Sequence, residues 1–225
     1  MSKKKGKKVI IFGTGDFGKV VHFYLTRDSQ HEIVAFTAND WAIKEKKMFD
    51  LPVVSFEDID KKFPVDEFSM FIAVPYSNLN KTRAKIFDEA KSKGYHLISY
   101  INSKAIFWDD VKLGENCFIL EGNVIQPFVE IGNDVIIWSG NHIGHHSKIG
   151  DHCFLASHVV ISGKVTIDPF CFLGVNSTIR DGIHISRDCV IGAGAVILKD
   201  TKQGEVYTTN STKLLEVKSD SLKSL

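Results

Sequence analysis

Five histidines, His142, His145, His146, His152 and His158, fall within seventeen residues. Imidazole takes and gives protons near neutrality, the free group titrating at about 6.5, so such a cluster suits general-base catalysis or metal ligation. A second candidate group is Gly13-Thr14-Gly15-Asp16-Phe17-Gly18, set between the apolar run Val9 to Phe12 and a helical pattern. Backbone N–H groups of such a loop, with the N-terminus of the helix behind it, can cradle a pyrophosphate. The third group is Cys117, Cys153, Cys171 and Cys189, which contains no Cys-x-x-Cys pair and is spaced by whole multiples of three hexads.

Two kinds of scaffold must position these groups. The first hundred residues alternate strand and helix. Lys8 to Phe12, Glu32 to Phe36, Phe68 to Val74 and His96 to Ile101 read as strands, and Phe17 to Thr26, Phe56 to Phe63 and Asn80 to Lys93 as helices. The stretch around Leu51, Pro52 and Val53 reads as irregular. Alternation with short connections implies a mostly parallel, Rossmann-like α/β sheet covered on both faces. From Leu113 to Ile197 an Ile or Leu then recurs at every sixth position without a break. That period belongs to neither an α-helix nor a simple strand; it marks a hexapeptide β-helix of about five coils, three hexads to each, stacked roughly 4.8 Å apart. The cysteine spacings are whole coils, so the four thiols should form one reduced interior column with Val135 in the missing rung. His146, His152 and His158 share one hexad phase and occupy successive corners, which keeps them from converging on a metal within one subunit. We therefore expect residues 1–102 to form the nucleotide-binding domain and 103–225 the β-helix with a C-terminal tail.

Composition narrows the partners. Lys plus Arg (28) nearly balances Asp plus Glu (27), which argues against nucleic acid. Lys3, Lys4, Lys5, Lys7 and Lys8 read as a solvated tail. No apolar run approaches the roughly 18 residues of a membrane span, so no membrane insertion is expected and the cytoplasm is the expected compartment.

The glycine loop followed by an unbroken hexad array resembles the hexapeptide-repeat sugar acyltransferases, the family of sialic acid O-acetyltransferases and bacillosamine-pathway N-acetyltransferases. The resemblance runs through Ala35-Phe36, Asn80-Lys81-Thr82-Arg83 and Ile191-Gly192-Ala193-Gly194-Ala195-Val196. It implies left-handed coiling, a homotrimer, an acetyl-CoA site between neighbouring β-helices, and a nucleotide-linked sugar held partly by the N-terminal domain, with no metal. Asn141 to Gly150 resembles the catalytic-histidine hexads of these enzymes and of the lipid A acyltransferases, which places the general base at His145. The family often has Asp or Glu next; here the residue is His146, so another carboxylate, a backbone carbonyl or His146 itself must orient the ring.

Gly163 lies three hexads after His145 and matches the family's acetyl-CoA contact, its amide open to a thioester oxygen. Gly174, Ala193, Lys199 and Lys213 are the further candidates for the coenzyme; for the acceptor they are Gly13, Gly15 and Asp16 of the glycine loop, Tyr76, Asn78 and Lys81 beyond a strand's C-terminal end, where parallel sheets bind ligands, and Thr37, Trp138 and His142. The tail Val206 to Lys213 departs from the Gly-x-Pro-Ala-Lys ending common in relatives. The activity implied is acetyl-CoA-dependent N-acetylation of a nucleotide-linked 4-amino-4,6-dideoxy sugar for surface glycans, with sialic-acid-type O-acetylation as the alternative. A zinc carbonic anhydrase on the same β-helix would need two histidines five apart, absent from this cluster. A nucleotide-sugar dehydrogenase would want an acidic residue closing the second strand, which instead ends Phe36-Thr37-Ala38-Asn39. A trimerising scaffold with a nucleotide sensor is the non-enzymatic alternative.

Overall fold

The computed structural model describes residues 6–212, 214, 216 and 219–221; Lys3, Lys4, Lys5 and Lys213 lie outside the described residues. The N-terminal domain runs β1 (Lys8–Phe12), α1 (Asp16–Asp28), β2 (Glu32–Ala38), β3 (Lys47–Met48), β4 (Leu51–Ser55), the single turn α2 (Ile59–Lys62), β5 (Phe68–Ile72), α3 (Lys81–Ser92) and β6 (His96–Leu97). The sheet order is β3-β4-β2-β1-β5-β6, parallel except for the β3–β4 hairpin. Val9, Ile10 and Ile11 of the central β1 are fully buried because helices cover one face and the second domain contributes to the other.

Two sequence expectations are corrected. The stretch around Pro52 is a strand. Pro52 cannot donate to a ladder, but β4 pairs with β2 only through Val53, Val54 and Ser55, and Pro52 falls opposite Lys47 in a hairpin turned by Phe49 and Asp50 at φ 49° and 63°. The expected strand His96 to Ile101 divides: β6 closes the sheet, whereas Tyr100–Ile101 pairs with Phe118–Ile119 as the first rung of the β-helix. Ser99 makes the joint, its hydroxyl donating to the Gly114 carbonyl at 2.7 Å and accepting the Cys117 N–H at 2.9 Å.

The second domain is a left-handed parallel β-helix with three faces. Two-residue strands on the first face run from Tyr100–Ile101 through Phe154–Leu155 to Val206–Tyr207. The second face runs from Val124–Ile125 through His142–Ile143 to Val196–Ile197, and the third from Lys112–Leu113 through Lys148–Ile149 to His184–Ile185. Neighbouring rungs pair one full coil apart through most of the stack, as Val124 with His142 and His142 with Val160. The hexad aliphatics form one interior column system, most of them at or near zero exposure. Cys117, Cys153, Cys171 and Cys189 stack with Val135 inside the corner between the third and first faces, all fully buried. Three of the thiols answer a carbonyl of the next turn that would otherwise be unpaired: Cys117 to Gly132 at 3.0 Å, Cys153 to Asp168 at 3.3 Å, and Cys171 to Ser186 at 3.2 Å. Burial pushes the Cys117 thiol up to about 12, so it stays protonated and can donate.

The outward residues distinguish the faces. The third is charged, with Lys112 and Lys148 both reaching Glu130. The first is apolar, and Phe118, Ile136 and Phe154 share a core with Val9, Phe17, Val21 and Leu25, which seats the N-terminal domain on this face. The second presents Val124, His142, Val160, Thr178 and Val196, and no described residue covers it: Val160 is 39% and Val196 59% exposed. A buried latch joins the domains. Arg83, at the start of α3, and Asp134 are both 0% exposed with Nε 3.0 Å from Oδ2, off the hydrogen-bonding line. Arg83 also donates to the Asp134 carbonyl (3.0 Å), the Cys153 carbonyl (3.3 Å), the Pro75 carbonyl (3.2 Å) and Asn80 Oδ1 (3.1 Å).

Candidate active site

His145 and His146 form the corner between the second and third faces. The His145 N–H donates to Gln126 Oε1 at 2.8 Å, and its carbonyl accepts the Lys164 N–H at 2.8 Å, so the backbone is pinned from below and above. His146 adopts φ 62°, the left-handed turn that recurs at the corners. That turn brings its Nδ1 to 3.0 Å from His145 Nδ1, with the rings perpendicular at 88°, and rests its own ring on Phe128 at 4.8 Å. Only one proton fits between the two nitrogens. With that proton on His145, its Nε2 keeps a lone pair and can act as a base.

Gly163 sits on the rung above. A Cβ there would stand 2.9 Å from His145 Cε1 and 3.0 Å from Nε2, so only glycine leaves the space over the ring open. The Gly163 amide has no hydrogen-bond partner among the described residues, although Gly163 is buried. A donor with no partner beside a base is the pair that acyl transfer needs: one group for the nucleophile's proton and one for the oxyanion. Asp181 and Lys199 continue the same column at one-coil steps, both exposed.

The other expected residues divide by place. Gly13, at φ 121°, approaches the Ala73 carbonyl so closely that a Cβ would lie 2.5 Å from it, and its N–H donates to the Thr37 carbonyl. Gly15 caps α1 and opens onto a cavity of about 300 Å³ lined also by Thr14, Lys19, Lys44, Lys47 and Met48. Sequence reasoning missed these three lysines because Lys47 belongs to the unrecognised hairpin and Lys44 lies just before it. Asp16 is exposed and pairs with Lys19 at 2.9 Å. Thr37 is a correction: it is fully buried and its hydroxyl donates to the Val54 carbonyl, so it supports the glycine loop from within instead of facing a ligand. Tyr76 packs at 5.0 and 5.2 Å against Phe154 and Phe172 with half its surface exposed, on a loop where Asn78, Leu79 and Asn80 all take positive φ. Lys81 pairs with Asp188 at 3.2 Å. Trp138 lies between Phe17 and Phe154, its indole N–H buried without a partner among the described residues.

His142 lies outward on the bare second face. Gly174 and Ala193 occupy the corner between the first and second faces, a different corner from that of His145 and Gly163. The Gly174 N–H is committed to the Ile191 carbonyl at 2.7 Å. His152 bonds Asp134 at 2.8 Å and His184 pairs with Asp168 at 3.0 Å, both structural, while His158 sits over Gly140. His146, His152 and His158 stand at three different corners, and no group of three or more His, Cys, Asp or Glu side chains poised to hold a metal occurs among the described residues.

Comparison with known proteins agrees with this architecture. Residues 8–90 match the PglD N-terminal domain, 110–144 and 128–163 the bacterial transferase hexapeptide (six repeats), and 164–199 the hexapeptide repeat of succinyl-transferase. PerB of Caulobacter crescentus, solved with CoA and GDP-perosamine, is 28% identical over 88% of this chain and 92% of its own, with a TM-score of 0.78. A histidine-to-asparagine variant of that organism's perosamine N-acetyltransferase superposes with a TM-score of 0.79 at 26% identity, covering 88% of this chain and 92% of its own. The acetyltransferase domain of PglB from Neisseria gonorrhoeae, solved with acetyl coenzyme A, shares the fold at 21% identity, covering 93% of this chain and 100% of its own, with a TM-score of 0.80. No curated protein sequence matches the chain. Fold and repeats thus define a hexapeptide-repeat acyltransferase. Within that class the chain joins a PglD N-terminal domain to hexapeptide repeats and is an acetyltransferase.

In Gly163→Ala the methyl group would crowd the far end of the His145 ring rather than backbone, so the melting temperature should stay within a few degrees of the parent. Acetyl-transfer turnover should fall by about 10²-fold, because the reacting atoms lose their alignment.

Proposed function

We propose that the chain transfers the acetyl group of acetyl-CoA to the 4-amino group of a nucleotide-linked 4-amino-4,6-dideoxy sugar, a building block of surface glycans, in the cytoplasm. The observation that carries this reading is the unpartnered Gly163 amide one rung above a histidine whose Nδ1 is held by a neighbour. His145 Nε2 takes the proton of the attacking nitrogen, His146 holds the opposite edge of the ring, and the Gly163 amide receives the carbonyl oxygen as it gains charge. The attacking nitrogen forms a C–N bond at the thioester carbonyl, the C–S bond breaks, and the coenzyme leaves as its thiolate. Lys199, two rungs above Gly163 and exposed, suits a coenzyme phosphate. The chemistry of Gly15, Lys19, Lys44 and Lys47 suits the diphosphate of the acceptor. The likeness to PerB, which binds a nucleotide-linked amino sugar, favours an amine over the hydroxyl of a sialic acid.

The working unit in this reading is a homotrimer with sites between subunits. The N-terminal domain covers the first face, whereas His145 stands at the corner between the other two, so a chain's own glycine pocket lies across the prism from its own base. The bare apolar second face adjoins His145 and is the surface a second copy would cover. Val160→Glu should therefore convert the assembly to monomers in sedimentation velocity and remove turnover together with it; a monomeric parent protein would contradict the arrangement.

Thiol release from acetyl-CoA tests the function against UDP-, dTDP- and GDP-linked 4-amino-4,6-dideoxy sugars, with sialic acid as the hydroxyl control. Release with one amino sugar supports the reading and names the substrate, release with sialic acid alone replaces it by O-acetylation, and silence throughout removes it.

A further inference from the structure

The space over Gly163 is shared by two functional groups. A Cβ at this position would stand 3.0 Å from His145 Nε2 on the rung below and 3.0 Å from Asp181 Oδ1 on the rung above, so base and carboxylate face one point from opposite sides. Elsewhere the residue one coil above closes the amide beneath it. Asn133 Oδ1 accepts the Glu115 N–H at 2.9 Å, and Asp151 Oδ1 accepts the Asn133 N–H at 2.6 Å. Asp181 makes no such bond to Gly163, and its carboxylate makes no ion pair or hydrogen bond with any described residue. Lys164, Arg180 and Lys199 are the charged side chains around it on this corner, all exposed and none paired with it. An uncommitted carboxylate beside a base repels a developing oxyanion and attracts a developing cation. It therefore suits the nitrogen side of the reaction.

We propose that Asp181 receives the acceptor's amino nitrogen and so selects an amine over a hydroxyl, an inference that rests on the acetyltransferase reading above. As the nitrogen attacks the thioester carbonyl, the new C–N bond leaves positive charge on nitrogen, and the Asp181 carboxylate stabilises that charge. His145 Nε2 then takes the N–H proton, the C–S bond breaks, and the departing thiolate takes that proton from the His145 imidazolium to become the free thiol. A hydroxyl acceptor gives up its proton to His145 while attacking and develops no comparable positive charge, so it gains little from Asp181. An acceptor arriving as an ammonium ion is drawn to the same carboxylate and sheds its extra proton to water.

Asp181→Asn and Asp181→Glu test this, with acetyl-CoA as donor, GDP-perosamine and its UDP- and dTDP-linked counterparts as acceptors, and the 4-hydroxy analogue as control. Because Asp181 is exposed and unpaired, both variants should fold as the parent does. The expected result for Asp181→Asn is a 10- to 100-fold lower kcat/KM on the amine, an unchanged KM for acetyl-CoA, and a narrowed preference for amine over hydroxyl; Asp181→Glu should recover part of the loss. Unchanged amine kinetics in Asp181→Asn overturns the inference and leaves the acetyltransferase reading intact, as does a loss confined to the KM for acetyl-CoA, which would assign the carboxylate to the coenzyme. A parent enzyme silent on every amine overturns that reading, and this inference with it.

Discussion

His145→Ala is expected to lower kcat by about 10² to 10⁴-fold, the usual contribution of a well-placed general base, while leaving acetyl-CoA binding and the melting temperature close to the parent's. Stability should hold because the ring is exposed and the two bonds that fix this corner, to Gln126 and from Lys164, are made by the His145 backbone. The adjacent position separates orientation from packing. His146→Phe keeps a ring on Phe128 but removes the acceptor at Nδ1, so kcat should drop with little change in KM. His146→Glu restores an acceptor of another kind and should recover much of the rate. If His146→Phe and His146→Glu lose equally, the side chain acts through packing alone, and another group orients His145.

Arg83→Met is expected to destabilise the protein by about 3 to 5 kcal/mol, the usual cost of leaving one member of a buried pair uncompensated. Asp134 would be left at 0% exposure with only Asn116 and His152 beside its carboxylate, at 2.8 Å each. Four carbonyl or amide oxygens would also lose a donor. Urea unfolding followed by near-ultraviolet circular dichroism measures this. Adding Asp134→Asn should return part of the loss, since no bare charge then remains, and an additive double variant would show that the pair is not coupled. The effect should extend to the acceptor, because Arg83 holds the Pro75 carbonyl and Asn80 at the two ends of the Tyr76 loop. The KM for the nucleotide sugar should rise more than that for acetyl-CoA.

The β-helix was legible in the sequence to the individual residue because its geometry repeats. An aliphatic at every sixth position has one structural solution, and the cysteine column followed from the same arithmetic. The Pro52 strand was hidden because the proline's meaning depends on which partner its strand edge meets, a tertiary fact. The Arg83 latch was equally invisible: a charged residue at a helix start reads as solvent-facing until the first face of the β-helix is known to lie over it. At the site, the stacking of Gly163 on His145 could be read from a spacing of three hexads. The Asp181 approach could not, since spacing gives the column but not the direction in which a side chain leans.

The most direct test of the central claim is to incubate the intact protein with acetyl-CoA and a 4-amino-4,6-dideoxy nucleotide sugar and to locate the acetyl group in the product by NMR, beside a His145→Ala control. Acetyl on the sugar nitrogen with the parent, and no product above background with the control, is the expected result. Acetyl on an oxygen, or equal product from both proteins, would contradict it.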